Sequence, residues 1–363
     1  MPIKSLEDKK RKWINFIGGG NGGGNGGTIE KTMFFIDVDD DLRNERLRPL
    51  PQPGLKEARI DWAYDEYNRR LAQAEWLNDD RIPALMPYTG TEIFAEAFGC
   101  KVFYPHNDMP FALPKCGDIC EAASMKVPGV HDTPLDMLFE IARRLRQKAG
   151  DGAAMQLPDI QSPFDIAALL INKEAFYVAM IEAPEAVHEL IGKTKALLTS
   201  FLDEWFAEFG VAYIAHYPQY YMEGGVTLSE DEVGAFSSGM FDTFVLDTLN
   251  ELSERYGGIG VHCCAHSEHQ WANLKKAKGL LMLNLVNNPD FIRRSLDFYR
   301  GTVAMWPMSG PPAYVNPPWM DGCPPEARVV LNYRAPTRDA AIETAKRAEG
   351  LCDMRNNKKA VSY

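Results

Sequence analysis

The 363-residue chain has no long apolar run. Nothing in it approaches the roughly 18–20 consecutive apolar residues of a membrane-spanning helix. Residues 1–13 are charged and polar and lack the apolar stretch of a secretory leader. Excess positive charge is also missing. The formal net charge is −11, and the basic clusters are confined to Lys9–Lys12 and Lys358–Lys359. Such a surface repels phosphate backbones and anionic lipid, so neither nucleic acid nor membrane is an expected partner. Cysteine is sparse and odd in number, with seven irregularly spaced residues: Cys100, Cys116, Cys120, Cys263, Cys264, Cys323 and Cys352. This is no disulfide framework. The expectation is a cytoplasmic chain whose reduced thiols are available to metals. No P-loop, HExxH or Ser-His-Asp order occurs either. The run GGGNGGGNGG at 18–27 contains G-x-G-x-x-G, but no strand precedes it and no helix follows, so it reads as a loop.

What is present is an alternation. Strand-like apolar runs occur at 32–38, 83–88, 153–157, 212–216, 260–264, 279–285, 302–306 and 328–332. Helical spacing fills the intervals, at 57–77, 92–98, 133–149, 165–170, 174–181, 184–209, 266–277, 290–299 and 337–353. Pro184 opens the longest helix and Gly210 follows it. Ser229-Glu230-Asp231-Glu232 has the pattern of a capping box, which starts a helix there. Strands alternating with amphipathic helices imply a parallel sheet covered on both faces. With seven or eight strands and no phosphate fingerprint, the expected architecture is α/β, a (β/α)8 TIM barrel with an N-terminal extension. Residues 1–82 are taken as the extension and 83–363 as the catalytic barrel.

Chemistry concentrates at Val261-His262-Cys263-Cys264-Ala265-His266. His262 and Cys264 are two apart at a strand end, so they point to one side, and barrel enzymes place reactive groups at such ends. A nitrogen and a thiolate on one face suit a borderline-soft metal; packing of both in the core is the competing reading. Cys323, in a Gly/Pro-rich loop after the strand at 302–306, is the expected third ligand. His216 and Glu223 flank an aromatic loop and are a candidate proton-transfer pair, with Glu223 also a candidate fourth ligand. Asp231 either faces the site or caps its helix. His266 and His269, at a helix start, are further candidates for metal or anion binding.

Several segments, in order, resemble the uroporphyrinogen decarboxylase superfamily: Glu92–Val102 (EIFAEAFGCKV), Ser162–Ala168 (SPFDIAA), Gly258–Cys264 (GGIGVHCC) and the Gly322-Cys323-Pro324-Pro325-Glu326 turn. The resemblance covers roughly residues 83–351 and implies a barrel with a deep C-terminal cleft. It is nearer to the zinc-dependent, cobamide-linked methyltransferases, whose His-x-Cys plus distant Cys is similar to His262, Cys264 and Cys323. The Phe-Met-Arg-Gln-Ala-Gly-Arg segment of true uroporphyrinogen decarboxylases is absent. The implied activity is methyl transfer from a methylated corrinoid, carried by a partner protein, to a thiol activated by Zn²⁺. Glu223 or water would fill the fourth position, and His216 or Asp231 would orient the donor or substrate. A metal-free decarboxylase or lyase using His216, His262 and a carboxylate on a small carboxylated substrate is the second expectation. A non-catalytic barrel that binds a corrinoid or tetrapyrrole is the third. A homodimer is compatible with apolar outer helices.

Overall fold

The computed structural model describes residues 3–18, 29–39 and 45–357. Most of the glycine-rich stretch at 18–27 lies outside the described residues. Twelve strands occur among those described: β1 (Thr32–Val38), β2 (Ala84–Leu85), β3 (Lys101–Phe103), β4 (Phe111–Leu113), β5 (Ala154–Met155), β6 (Ala212–Ile214), β7 (Tyr221–Glu223), β8 (Val226–Ser229), β9 (Ile259–Cys263), β10 (Leu280–Val286), β11 (Ala304–Met308) and β12 (Arg328–Ala335). Six of them form one sheet in the order β1-β12-β11-β10-β9-β8. All its pairings are parallel. Such strands are covered on both faces, which is why β1, TMFFIDV, is an almost unbroken apolar run.

Bonds beyond both ends of this sheet curl it into a (β/α)8 barrel. At β8, Ser229 N–H donates to Ile160 O at 2.9 Å and Ser162 N–H donates to Ser229 O at 2.8 Å. These tie β8 to the stretch that follows β5, and β5 pairs in parallel with β2. β6 shares that neighbour lower down, where Leu157 N–H donates to Ile214 O at 2.8 Å. The last seam, β1 to β2, is closed by the segment leading into β2. Asp80 N–H donates to Phe34 O at 3.0 Å, and the Asp80 and Asp79 carboxylates accept Phe34 N–H at 2.9 Å and Ile36 N–H at 3.2 Å. Side-chain oxygens here satisfy the edge donors that a neighbouring strand satisfies elsewhere.

The boundary expected at residue 82 therefore falls inside the barrel, because β1 is a stave. The helix Leu6–Gly18 packs with it. Trp13 is fully buried, stacks on Trp306 of β11 at 5.9 Å, and donates to Asp80 O at 2.9 Å. Arg328, the first residue of β12, donates to Ile17 O at 2.8 Å, which sets this helix against the N-terminal ends of the staves.

The helix Pro184–Phe209 follows its sequence signals closely. Proline opens it, Gly210 ends it at φ 88°, and Leu190, Leu197, Phe201 and Trp205 lie on its buried face. The helix expected from Ser229 does not form there. Pairing with β9 takes Ser229 into β8, a single 3-10 turn follows at Glu232–Gly234, and an α-helix begins only at Ser238, where the Ser237 oxygen accepts Met240 N–H at 3.4 Å. Two hairpins were not foreseen, β3–β4 and β6–β7. The second returns the chain to the N-terminal end before β8. Gly224 and Gly225, at φ 73° and 81°, make the reversal that no side chain tolerates cheaply. Among the described residues, no helix is long and apolar enough to cross a membrane.

Candidate metal centre and barrel mouth

The site is built on adjacent stave ends. β9 carries His262, and Cys264 follows immediately; β8 leads through Glu230 to Asp231. Asp231, His262 and Cys264 each offer one ligand atom, and the three atoms lie within 4.8 Å of one another. His262 Nε2 is 4.0 Å from Asp231 Oδ1, and Cys264 N–H donates to the same oxygen at 2.6 Å. Cys263, one residue out of phase, is buried in the core.

Two of the three candidate ligands, His262 and Asp231, are each held by a second residue. His262 Nδ1 bonds to Asn284 Oδ1, and the Asn284 amide nitrogen donates to Trp306 O. An amide that spends its N–H on a carbonyl presents oxygen to the imidazole. Nδ1 therefore carries the ring proton and Nε2 keeps its lone pair for a ligand position. Asp231 is set by Asp165, which is third in the helix Pro163–Leu170 behind its cap Ser162. The Asp165 carboxylate accepts Asp231 N–H at 2.7 Å and Glu232 N–H at 3.1 Å. Glu230 is buried beside it. Burial is the largest cause for both and pushes both carboxyls up, Asp165 to about 7 with the charges of Asp231 and Glu232 adding to it, and Glu230 well above its ordinary value with the Asp165 charge adding to it. The pair thus retains a proton beneath the site.

Oxygen, nitrogen and sulfur donors with an oriented imidazole fit a borderline-soft divalent ion. A filled tetrahedral site spaces its ligand atoms roughly 3.3–3.8 Å apart, so these side chains would close in slightly. Partial burial, followed by the Asp231 charge, pushes the Cys264 thiol up to about 12. A cation beside it reverses that balance and favours thiolate.

Cys323 is elsewhere. The loop after β11 runs back along the barrel before β12 begins, so Cys323 precedes a stave instead of following one. Its thiol packs near Arg355, which bonds Pro324 O at 3.2 Å, Ala327 O at 2.8 Å and Thr32 Oγ1 at 2.9 Å. Thr32 starts β1, so Cys323 sits at the N-terminal end, opposite His262. Asp231 stands where Cys323 was expected. Glu223 is displaced for a related reason. It lies on β7, antiparallel to β6 and opposite Ala212, with Tyr221 O–H donating to it at 2.7 Å. His266 packs against the Phe291 ring, and His269 Nε2 donates to Phe236 O at 3.0 Å.

Beside the cluster, the C-terminal mouth encloses a cavity of about 360 Å³ whose lining includes Gln156, His216, Tyr217, Trp306, Met308 and Asn332. Tyr217 belongs to both regions, because its ring stands edge-on to His262 at 5.0 Å. His216 is therefore at the mouth, with its Nε2 3.4 Å from Ser229 Oγ on β8. A groove of about 690 Å³ around His131 and Glu140 contains none of these residues. The sequence reading missed Asn284, Asp165 and Gln156. Asn284 had a signal, a lone amide within the apolar run LLMLNLV; Asp165 and Gln156 had none.

No curated protein matches the sequence. In fold, the chain is similar to a methyltransferase from Methanosarcina mazei, with 12% identity and a TM-score of 0.63 over 94% of this chain and 99% of that one. The family model for uroporphyrinogen decarboxylase (URO-D) matches residues 82–291, which takes in β2 to β10 and both His262 and Cys264. With more than half its length matched, the chain belongs to the uroporphyrinogen decarboxylase family.

Proposed function

We propose that this protein is a zinc-dependent methyltransferase that moves a methyl group from a methylated corrinoid, carried by a partner protein, to a thiol. The observation that carries the reading is the convergence of Asp231, His262 and Cys264 with His262 Nε2 left free by Asn284. Zinc bound there would lower the pKa of a thiol at its open position. The chain's own residues supply the rest. Asn284 fixes the imidazole, and Asp165 fixes the backbone of Asp231. Tyr217 stands edge-on to His262, and Trp306 and Met308 line the cavity beside it. Family membership and the name of the Methanosarcina mazei neighbour support the methyl-transfer part of this reading. The test is the metal content of protein purified without chelator under reducing conditions. About one zinc per chain is expected, and it should be lost in Cys264→Ser. No metal after incubation with excess Zn²⁺ would sink the proposal.

One observation favours a second reading, a metal-free decarboxylase or lyase acting on a small carboxylated molecule. Arg48, Arg70 and Arg81 line the same cavity. Each is paired with an acid: Glu45 at 2.9 Å, Glu66 at 2.8 Å and Asp37 at 2.6 Å. A substrate carboxylate would have to compete for them. Activity on an acidic substrate after complete removal of metal would establish this reading over the first.

A further inference from the structure

The mouth holds a second group of titratable side chains that the metal cluster does not use. The geometry points to His216 as the base that takes the proton of the acceptor thiol, with Asp159 as its positioning residue; this rests on the function proposed above. The His216 side chain is 7% exposed and lines the cavity. Its backbone is anchored by Gln156, whose amide donates to His216 O at 3.0 Å. Asp159 Oδ1 lies 2.9 Å from Nε2, and Ser229 Oγ lies 3.4 Å from the same atom. The Asp159 oxygen is off the axis of the ring N–H and forms no straight hydrogen bond with it. A carboxylate at that edge favours the ring proton on Nε2. The other nitrogen, Nδ1, is buried and has no partner in the protein.

Two further relationships place this base in the right position. Glu92 is buried nearby; burial, then the charges of Glu96 and Asp159, push its carboxyl up to about 7. Glu92 thus favours its neutral form beside Asp159. Ser229 links the base to the cluster, because it sits beside His216 and is the register partner of His262.

The step balances. The acceptor's S–H bond breaks, and the proton passes to Nδ1, giving an imidazolium opposite the Asp159 carboxylate. The electron pair stays on sulfur, which forms a bond to the methyl carbon. The donor's bond to that carbon breaks, and its electrons remain with the corrinoid. The substrate class is a thiol small enough for a cavity of about 360 Å³.

Two measurements on the full chain test this. In histidine-¹⁵N-labelled protein, with His216→Gln assigning the signal, His216 should show a protonated Nε2 and a bare Nδ1. Asp159→Asn should remove that bias and Asp159→Glu should restore it. A wild-type ring protonated on Nδ1, or a signal indifferent to Asp159→Asn, overturns the inference. The second measurement counts protons released per bound 2-mercaptoethanol in weakly buffered, zinc-loaded protein. Wild type should retain the proton, whereas His216→Gln should release about one per bound thiol. Equal release by both, with thiol bound, overturns this inference alone. A zinc-loaded protein that binds no thiol overturns the proposed function, and the base falls with it.

Discussion

Asn284 and His262, on neighbouring strands and paired in register, are joined through Asn284 Oδ1 and His262 Nδ1. This contact decides which imidazole nitrogen faces the ligand position. Removing it leaves the ring free to rotate and to change tautomer. Asn284→Ala should therefore weaken zinc binding roughly 10–100-fold without removing a ligand. Competition against a chromogenic chelator checks this. Unchanged affinity would mean that the imidazole is not a ligand or is oriented by something else.

Cys323 separates two versions of the site. If the ligands are Asp231, His262 and Cys264, Cys323→Ser should leave the zinc content unchanged, and Asp231→Asn should lower it. If Cys323 is a ligand, its loss should empty the site. Metal analysis of the two variants together gives the answer.

Glu92 supplies a pH prediction. Its folded carboxyl is pushed up from 4.5 to about 7, chiefly by burial. An acid with a raised folded value favours the folded state only while protonated. That contribution is complete below the unfolded value and is lost as pH rises toward 7. Gly90 makes the burial possible, since a Cβ there would lie 2.2 Å from Glu92 Oε2. Glu92→Gln removes the ionisation. Its stability relative to wild type should grow between pH 5 and pH 8 by up to roughly 3 kcal/mol. Urea unfolding at the two pH values measures it; a constant difference would show that Glu92 ionises freely in the folded protein.

Much of the barrel was legible because its buried strands and amphipathic helices carry strong local patterns. The strand read at 32–38 and the helix read at 184–209 form with those bounds, and β9 to β12 fall within a few residues of expectation. The errors lie where tertiary pairing overrides a local signal. Ser229 has a cap pattern but is captured by β9. In the site, His262 and Cys264 were visible because a spacing of two on a strand fixes their common side. Cys323 was misplaced because a loop's residue types do not say which end of a barrel the loop has reached. Asp165 and Gln156 act through contacts at long sequence separation, which local patterns do not encode.

The seam between β1 and β2 has a consequence for stability. Asp80 is fully buried, and its oxygens serve three partners at once. They accept Phe34 N–H on β1 at 2.9 Å, pair with the Lys12 ammonium at 2.7 Å on the N-terminal helix, and lie 3.6 Å from Lys4. Burial alone would raise this carboxyl, yet Lys12 and Lys4 hold it below 3.8. A depressed carboxyl contributes stability that is present above its unfolded value and lost as pH falls through the folded one. Asp80→Asn keeps the shape but leaves Lys12 without its counter-charge. Breaking a buried pair in this way typically costs about 3–5 kcal/mol. The variant should show a lower unfolding midpoint at pH 7, and the gap should narrow below pH 4, where wild type loses the same charge. An unchanged midpoint at pH 7 would mean that Trp13, its apolar neighbours and the Arg328 and Lys9 contacts hold the helix Leu6–Gly18 without the Asp80 charge. The carboxylates would then close the β1 edge without carrying the barrel's stability.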